Sequence, residues 1–219
     1  MEESINSIMY NQNKFNLPAV YADFPEIREK IGSDGKDKRF RQIVLERFPQ
    51  LFHEQVVPNA IRVLGLIGRQ RAYRFIYRKY VEGEKWIDKY KVFVPFSNGA
   101  SGTLGHEAAR LISKPVIGDP GDGITQTFIG VGCFDSLSCA ENCKKYILSK
   151  FARALLGILK VTQGNKPETW TYVPIQDFTP DSDIDWSKSI PEIDQQLYRK
   201  YGLDEKEIAF IESHVKEMS

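Results

Sequence analysis

The sequence lacks the motifs that mark several common enzyme classes. It contains no GxxxxGK[ST] phosphate loop, no G-x-S-x-G, no Glu-x-Lys and no N-P-P-Y-type motif. Its three histidines, His53, His106 and His214, form no H-x-x-x-H pair that would hold zinc. These absences argue against a P-loop nucleotide hydrolase, a serine hydrolase with a nucleophile elbow and a zinc hydrolase. We therefore expect no catalytic residue, metal site or cofactor in this chain.

Cysteine and long apolar runs are also scarce. The three cysteines, Cys133, Cys139 and Cys143, are odd in number, and the residues MEESINSIMYNQNKF form no apolar signal segment. This combination favours reduced thiols and a cytoplasmic protein. No apolar run approaches the roughly 18 to 20 residues of a membrane span, so we expect no membrane partner.

Charge is nearly balanced overall but unevenly distributed along the chain. The net charge is +1, yet residues 62–91 hold nine Lys and Arg against three acids. Residues 177–219 hold five against eleven. A basic middle and an acidic tail indicate a polyanionic partner for the middle of the chain.

The pattern of apolar residues predicts an α+β fold with a mixed or antiparallel sheet. We expect one long amphipathic helix over 136–160, which Asp135 or Ser136 can cap, and two short C-terminal helices over 190–202 and 204–218. Strands are predicted at 60–67, 69–81, 89–95, 114–118, 124–132 and 169–178. The predicted organisation is an N-terminal extension over 1–60 that packs on the core, a core over 61–180, and an acidic linker with the helices over 181–219.

One stretch, GRQRAYRFIYRKY at 68–80, combines five positive charges with interleaved aromatic residues and has no acid. Two interpretations fit it: an ordinary strand with a solvated basic face, or a surface that binds nucleic acid. Arginine binds phosphates through several hydrogen-bond donors in one plane, and arginine, lysine and glutamine can hydrogen-bond to base edges. The candidate DNA-binding residues here are Arg69, Gln70, Arg71, Arg74, Arg78 and Lys79.

Two polar segments between ordered elements supply further candidates for contact with DNA. SNGASGTLG at 97–105 offers Ser97 and Asn98, and VTQGNKPETW at 161–170 offers Gln163, Asn165 and Lys166. Composition alone leaves open whether the first segment wraps a ligand or only connects two elements.

The order of these pieces resembles the C-terminal portion of type II restriction–modification adenine-specific DNA methylases, including fused endonuclease–methylases. The stretches that carry the resemblance span roughly residues 60–219 and include RAYRFIYRKY, KPVIGDPGDGITQTFIGVGCF, AENCKKYILSKFARALLGILKVTQ, TYVPIQDF and LYRKYGLDEKEIAFIESHVK. The resemblance implies a target recognition domain that reads double-stranded DNA. It also implies a methylase or endonuclease catalytic domain or subunit as partner, because the catalytic motifs are missing here.

Two alternatives remain open from the sequence. The first is an endonuclease with an unrecognised metal site, for which Asp34-Gly35-Lys36 is the tempting Asp-x-Lys, although it lies in a turn. The second is a protein-docking module of a restriction–modification complex. In that case the acidic amphipathic C-terminal helices would form the docking surface.

Overall fold

A computed structural model describes residues 3–31, 38–97, 104–105 and 107–219. Strands and helices are interspersed along these residues. The strands are β1 (Met9–Tyr10), β2 (Ala60–Ile67), β3 (Gln70–Tyr77), β4 (Tyr90–Pro95), β5 (Val116–Gly118), β6 (Asp122–Ile124) and β7 (Phe128–Phe134). The α-helices are α1 (Leu17–Asp23), α2 (Arg28–Ile31), α3 (Val44–Arg47), α4 (Leu137–Leu148), α5 (Lys150–Leu159), α6 (Ile190–Lys200) and α7 (Glu205–His214). The predicted α+β class is confirmed.

The strands form two sheets. One sheet has the order β1-β7-β4-β5 and is antiparallel throughout. The other has the order β3-β2-β6, with β2 antiparallel to β3 and parallel to β6. The predicted mixed or antiparallel pairing is therefore present in both forms.

Two apolar cores lie on opposite faces of β4. Val92 and Val94 belong to the core that includes helices α4 to α7, whereas Phe93 belongs to the core around the three-stranded sheet. Burial on both faces explains why β4 reads as an almost continuous apolar run rather than an alternating one.

The first sixty residues supply much of the second core. Phe15 packs at 4.6 Å between ring centroids against Phe40, and both rings contact Phe52. All three side chains are buried. These rings share a core with aliphatic side chains of β2 and β6, among them Ile61 and Ile124.

The expected single helix over 136–160 is wrong, because the chain breaks at Ser149. Ser149 has an extended backbone (φ −60°, ψ 148°), and its hydroxyl accepts a hydrogen bond from the Ala152 amide at 3.1 Å, as an N-cap does. The carboxylate of Asp194 in α6 adds a second cap, accepting from the Lys150 and Phe151 amides at 3.0 and 2.9 Å. Tertiary contact thus supports two helices where the apolar stripe suggested one.

The strand predicted at 169–178 is also wrong. Residues Pro167–Trp170 form a 3-10 helix, and the Val173 amide donates to the Trp170 carbonyl at 3.0 Å rather than to a neighbouring strand. The two C-terminal helices are confirmed. Gly202 follows α6 with φ +64°, as expected of the residue after a helix C-terminus.

Candidate nucleic-acid interface

The hairpin of β2 and β3 ends in a two-residue turn. Ile67 pairs with Gln70, and the residues between them, Gly68 and Arg69, have φ values of +54° and +66°. Positive φ at both positions is the geometry of a type I′ turn, which matches the twist of the two strands. Residues 68–71 are all exposed, so the hairpin presents its tip to solvent.

An open cleft of about 1100 Å³ lies beside this tip. Its lining comes from the N-terminal segment, the hairpin, the ends of β4 and β7, and the segment after α5. Five positive side chains line it: Lys14, Arg39, Arg69, Arg71 and Lys166. Four amide side chains join them: Asn11, Gln12, Gln42 and Gln126. Among the described residues, the acids in the lining are Glu84 and Glu168, so positive charge and hydrogen-bond donors predominate there.

The cations of the cleft differ in how far they are already neutralised. Lys14 lies 4.0 Å from both Glu82 and Glu84. Arg71 donates from Nη2 to the Lys114 carbonyl at 2.6 Å and has no carboxylate within 4.0 Å among the described residues. Arg69 and Lys166 likewise lack a carboxylate partner in the described part of the chain. Their charge is therefore available to an anionic ligand.

Packed aromatic side chains form one wall of the cleft. Tyr10 of β1 stacks on Trp86, with ring centroids 4.4 Å apart and planes inclined by 19°. The Tyr10 ring lies against Gly130 of β7, and a Cβ atom on Gly130 would lie 1.9 Å from Tyr10 Cε2. Burial raises the pKa of Tyr10 far above its usual value, so this phenol stays neutral.

Three of the predicted cations do not reach the cleft, because each pairs with a carboxylate elsewhere. Arg74 Nη2 lies 2.9 Å from Glu54 Oε1. Arg78 makes a two-pronged contact with Asp88, with Nη1 2.7 Å from Oδ1. Lys79 Nζ lies 2.5 Å from Asp23 Oδ2. The cations of the basic stretch are thus divided between the cleft and ion pairs with carboxylates elsewhere on the protein surface.

The polar residues that were predicted to contact DNA also differ in whether they line the cleft. Ser97 and Lys166 line the cleft, where Ser97 forms a bridge to Gly164. Gln70 and Gln163 are exposed but are not part of the lining. Asn98 lies outside the described residues.

Asn165 was predicted to offer an exposed donor to DNA, and the structure corrects this prediction. It is fully buried, and its Nδ2 donates to the Pro95 carbonyl at 2.9 Å while its backbone amide donates to Phe96. Asn165 fastens the segment after α5 to the end of β4. It therefore places Ser97 and Lys166 in the cleft rather than binding a ligand itself.

The N-terminal residues of the cleft were missed by sequence reasoning. Asn13 brings them there: its Oδ1 accepts from the Ile124 amide at 2.8 Å, and its backbone pairs with Ile124 and Phe40. The Gln126 amide then bonds to the Phe40 carbonyl at 2.8 Å. The amide-rich run NQNK at 11–14 was a visible signal, but nothing local to it indicates the hairpin as its neighbour.

A charged network fixes the base of the hairpin. Arg62 of β2 holds the buried Asp122 with two 2.7 Å hydrogen bonds, Nε to Oδ1 and Nη2 to Oδ2. Its guanidinium also lies 4.6 Å from the ring centroid of Tyr73. The hydrogen bonds that Arg62 donates to the Asp122 carboxylate raise the pKa of Arg62 above its usual value. Such a bidentate pair is directional and ties β2, β3 and β6 together.

A buried lysine supports the same region from β4. Lys91 Nζ donates to three backbone carbonyls, those of Ile87, Lys89 and Asp119, at 2.8, 2.9 and 2.8 Å. Burial lowers the pKa of Lys91 to about 8. The ammonium has all of its donors satisfied internally, so Lys91 is part of the scaffold rather than of the ligand-binding surface.

Comparison with family models, curated proteins and solved structures found no match for this chain. Within the described ranges, no three His, Cys, Asp or Glu side chains lie together in a way that would hold a metal ion. Asp34 and Lys36 are outside those ranges. None of the helices described is both long and apolar enough to cross a membrane.

Proposed function

We propose that this chain is the DNA target recognition portion of a type II restriction–modification enzyme. The observation that carries the proposal is the cleft beside the hairpin tip, where unneutralised cations and side-chain amides line the same open surface. Cations neutralise the phosphates of a duplex, and amides and guanidinium groups hydrogen-bond to base edges. The resemblance of residues 60–219 to recognition portions of adenine-specific methylases supports this proposal.

Duplex DNA suits the shape of this surface. The major groove of B-DNA is about 12 Å wide and admits a two-stranded β-ribbon. Beyond Leu64, where the pairing of β2 with β6 ends, the β2–β3 hairpin continues as two strands, and its exposed end carries Arg69 and Arg71. Phosphate contacts from the surrounding cations would then fix the position of the ribbon in the groove.

Catalysis is assigned to a partner, a methylase or endonuclease catalytic domain or subunit in the cytoplasm. The acidic C-terminal segment fits a role in docking to that partner, because its charge would repel phosphate. Asp204 and Glu207 form a capping box at the start of α7, which keeps several carboxylates at this end of the molecule.

The proposal is tested by fluorescence anisotropy of the full chain with a labelled duplex, at about 50 and about 200 mM salt. We expect binding that weakens steeply with salt, because each phosphate contact contributes about −0.9 to the log–log slope. Absence of binding at the lower salt concentration contradicts the proposal and favours a docking module. Cleavage of the duplex on addition of Mg²⁺ to the chain alone would instead establish the endonuclease alternative.

A further inference from the structure

The tip of the β2–β3 hairpin points to one residue as a reader of DNA sequence. We propose that Arg69 contacts a base edge in the major groove and that the recognised site contains a guanine at that position. This inference rests on the proposed function and deepens it. Arginine pairs with guanine through two hydrogen bonds, to O6 and N7, and this is the commonest specific contact in the major groove.

The backbone conformation of Arg69 is the first observation. Its φ of +66° lies in the left-handed region, where side chains other than those of Asn, Asp and His are uncommon. Glycine or asparagine at this position would suit a type I′ turn better. Arg69 is exposed, so packing of its side chain does not offset this unfavourable conformation, and a functional requirement for the side chain is the reason we infer.

The absence of an internal partner is the second observation. Arg71 donates to the Lys114 carbonyl, and Arg74 and Arg78 pair with Glu54 and Asp88. By contrast, Arg69 makes no hydrogen bond, ion pair or ring contact with any residue that the structure describes. All five donors of its guanidinium therefore face solvent and the cleft.

The rigidity of the hairpin is the third observation. Arg71 holds β3 to the segment before β5, and Arg62 holds β2 to Asp122. The first contact lies next to the tip and the second at the base of the hairpin. Together they restrict the movement of the hairpin, so that Arg69 would meet a base with little loss of conformational entropy. Gln42 and Gln126 line the same cleft and supply amides for adjacent bases.

The test is a selection of bound sequences from a random duplex pool by the full chain and by single variants. Arg69→Ala should relax one guanine position of the enriched motif, with a loss of discrimination of roughly 5- to 160-fold there. Arg69→Gly should do the same and raise the melting temperature, because glycine accepts positive φ without strain. Arg71→Ala should weaken binding on all sequences, and Arg78→Ala, which removes a cation already paired with Asp88, should change neither motif nor affinity.

Each other outcome contradicts a defined part of the account. If both Arg69 variants weaken binding uniformly and keep the motif, Arg69 is a phosphate contact, and the inference is wrong while the proposed function stands. An unchanged motif and affinity in the Arg69 variants likewise overturn the inference alone. If the unaltered chain binds no DNA, or binds it without an enriched motif, both the inference and sequence recognition by this chain fail.

Discussion

Removal of positive charge from the cleft should weaken the salt dependence of DNA binding, whereas removal of the same charge elsewhere on the basic stretch should not. The perturbation is the triple variant Arg69→Ala, Arg71→Ala and Lys166→Ala, at three cations of the cleft that have no carboxylate partner among the described residues. If Arg71 and Lys166 each contact one phosphate and Arg69 contacts a base edge, the log–log salt slope should become shallower by about 1.8. Over a fourfold change in salt this corresponds to about a 12-fold difference in the loss of affinity.

The matched control removes three positive charges outside the cleft. Arg74→Ala, Arg78→Ala and Lys79→Ala together delete cations that are already paired with Glu54, Asp88 and Asp23. Anisotropy titrations over a range of salt concentrations should give this variant the slope of the unaltered chain. A cleft variant that keeps the original slope, or a control variant that loses as much slope, would refute the assignment of the cleft as the DNA-binding surface.

Three further predictions concern the scaffold around the cleft and the C-terminal helices. Lys91→Met should lower the free energy of unfolding by about 1–3 kcal/mol, measured by urea denaturation, because the buried Ile87 carbonyl and the partly buried carbonyls of Lys89 and Asp119 lose their donor. Gly130→Ala should cost about 1–3 kcal/mol by displacing the Tyr10 ring. Gly83→Ala, where a Cβ meets nothing within 4 Å, should leave the urea midpoint nearly unchanged. Burial raises the pKa of Asp194 from 3.8 to about 6, so the stability that it contributes is full below pH 3.8 and is lost as pH rises through about 6. Asp194→Asn should remove that decline from urea midpoints measured across this range, and a decline that persists would contradict the assignment.

Local patterns predicted the elements whose hydrogen bonds are local. The strand at 60–67 and its partner follow from β-branched and alternating residues on either side of Gly68, and both are confirmed. Ser136 was one of two predicted caps for the first long helix, and its hydroxyl accepts from the Cys139 amide. Gly202 ends α6 as its position after the apolar stripe indicated.

Tertiary contacts decided the elements that local patterns predicted wrongly. The apolar stripe over 136–160 continues across Ser149, so periodicity alone could not reveal the break that Ser149 and Asp194 stabilise. In the stretch 169–178, the β-forming residues Trp170 and Val173 are buried in the helical core and do not pair with a strand. Burial against helices thus outweighed the intrinsic preference of these side chains for a sheet.

The candidate site was predicted only in part, because it is assembled from distant segments. Residue type identified Arg69, Arg71, Ser97 and Lys166, which all line the cleft. Nothing in the local sequence indicates that Gln12 and Gln42 lie beside them. Their position depends on Asn13 and Phe40, whose backbone contacts with residues 124–126 join parts of the chain that are more than eighty residues apart.

The central claim is that this chain recognises the sequence of duplex DNA through the cleft beside the β2–β3 hairpin. The most direct test is to incubate the unaltered full chain with a random duplex pool at low salt and to sequence the DNA that it retains. The account predicts an enriched motif that contains guanine, with retention that falls steeply as salt increases. Retention without any enriched motif, or no retention at low salt, would contradict it.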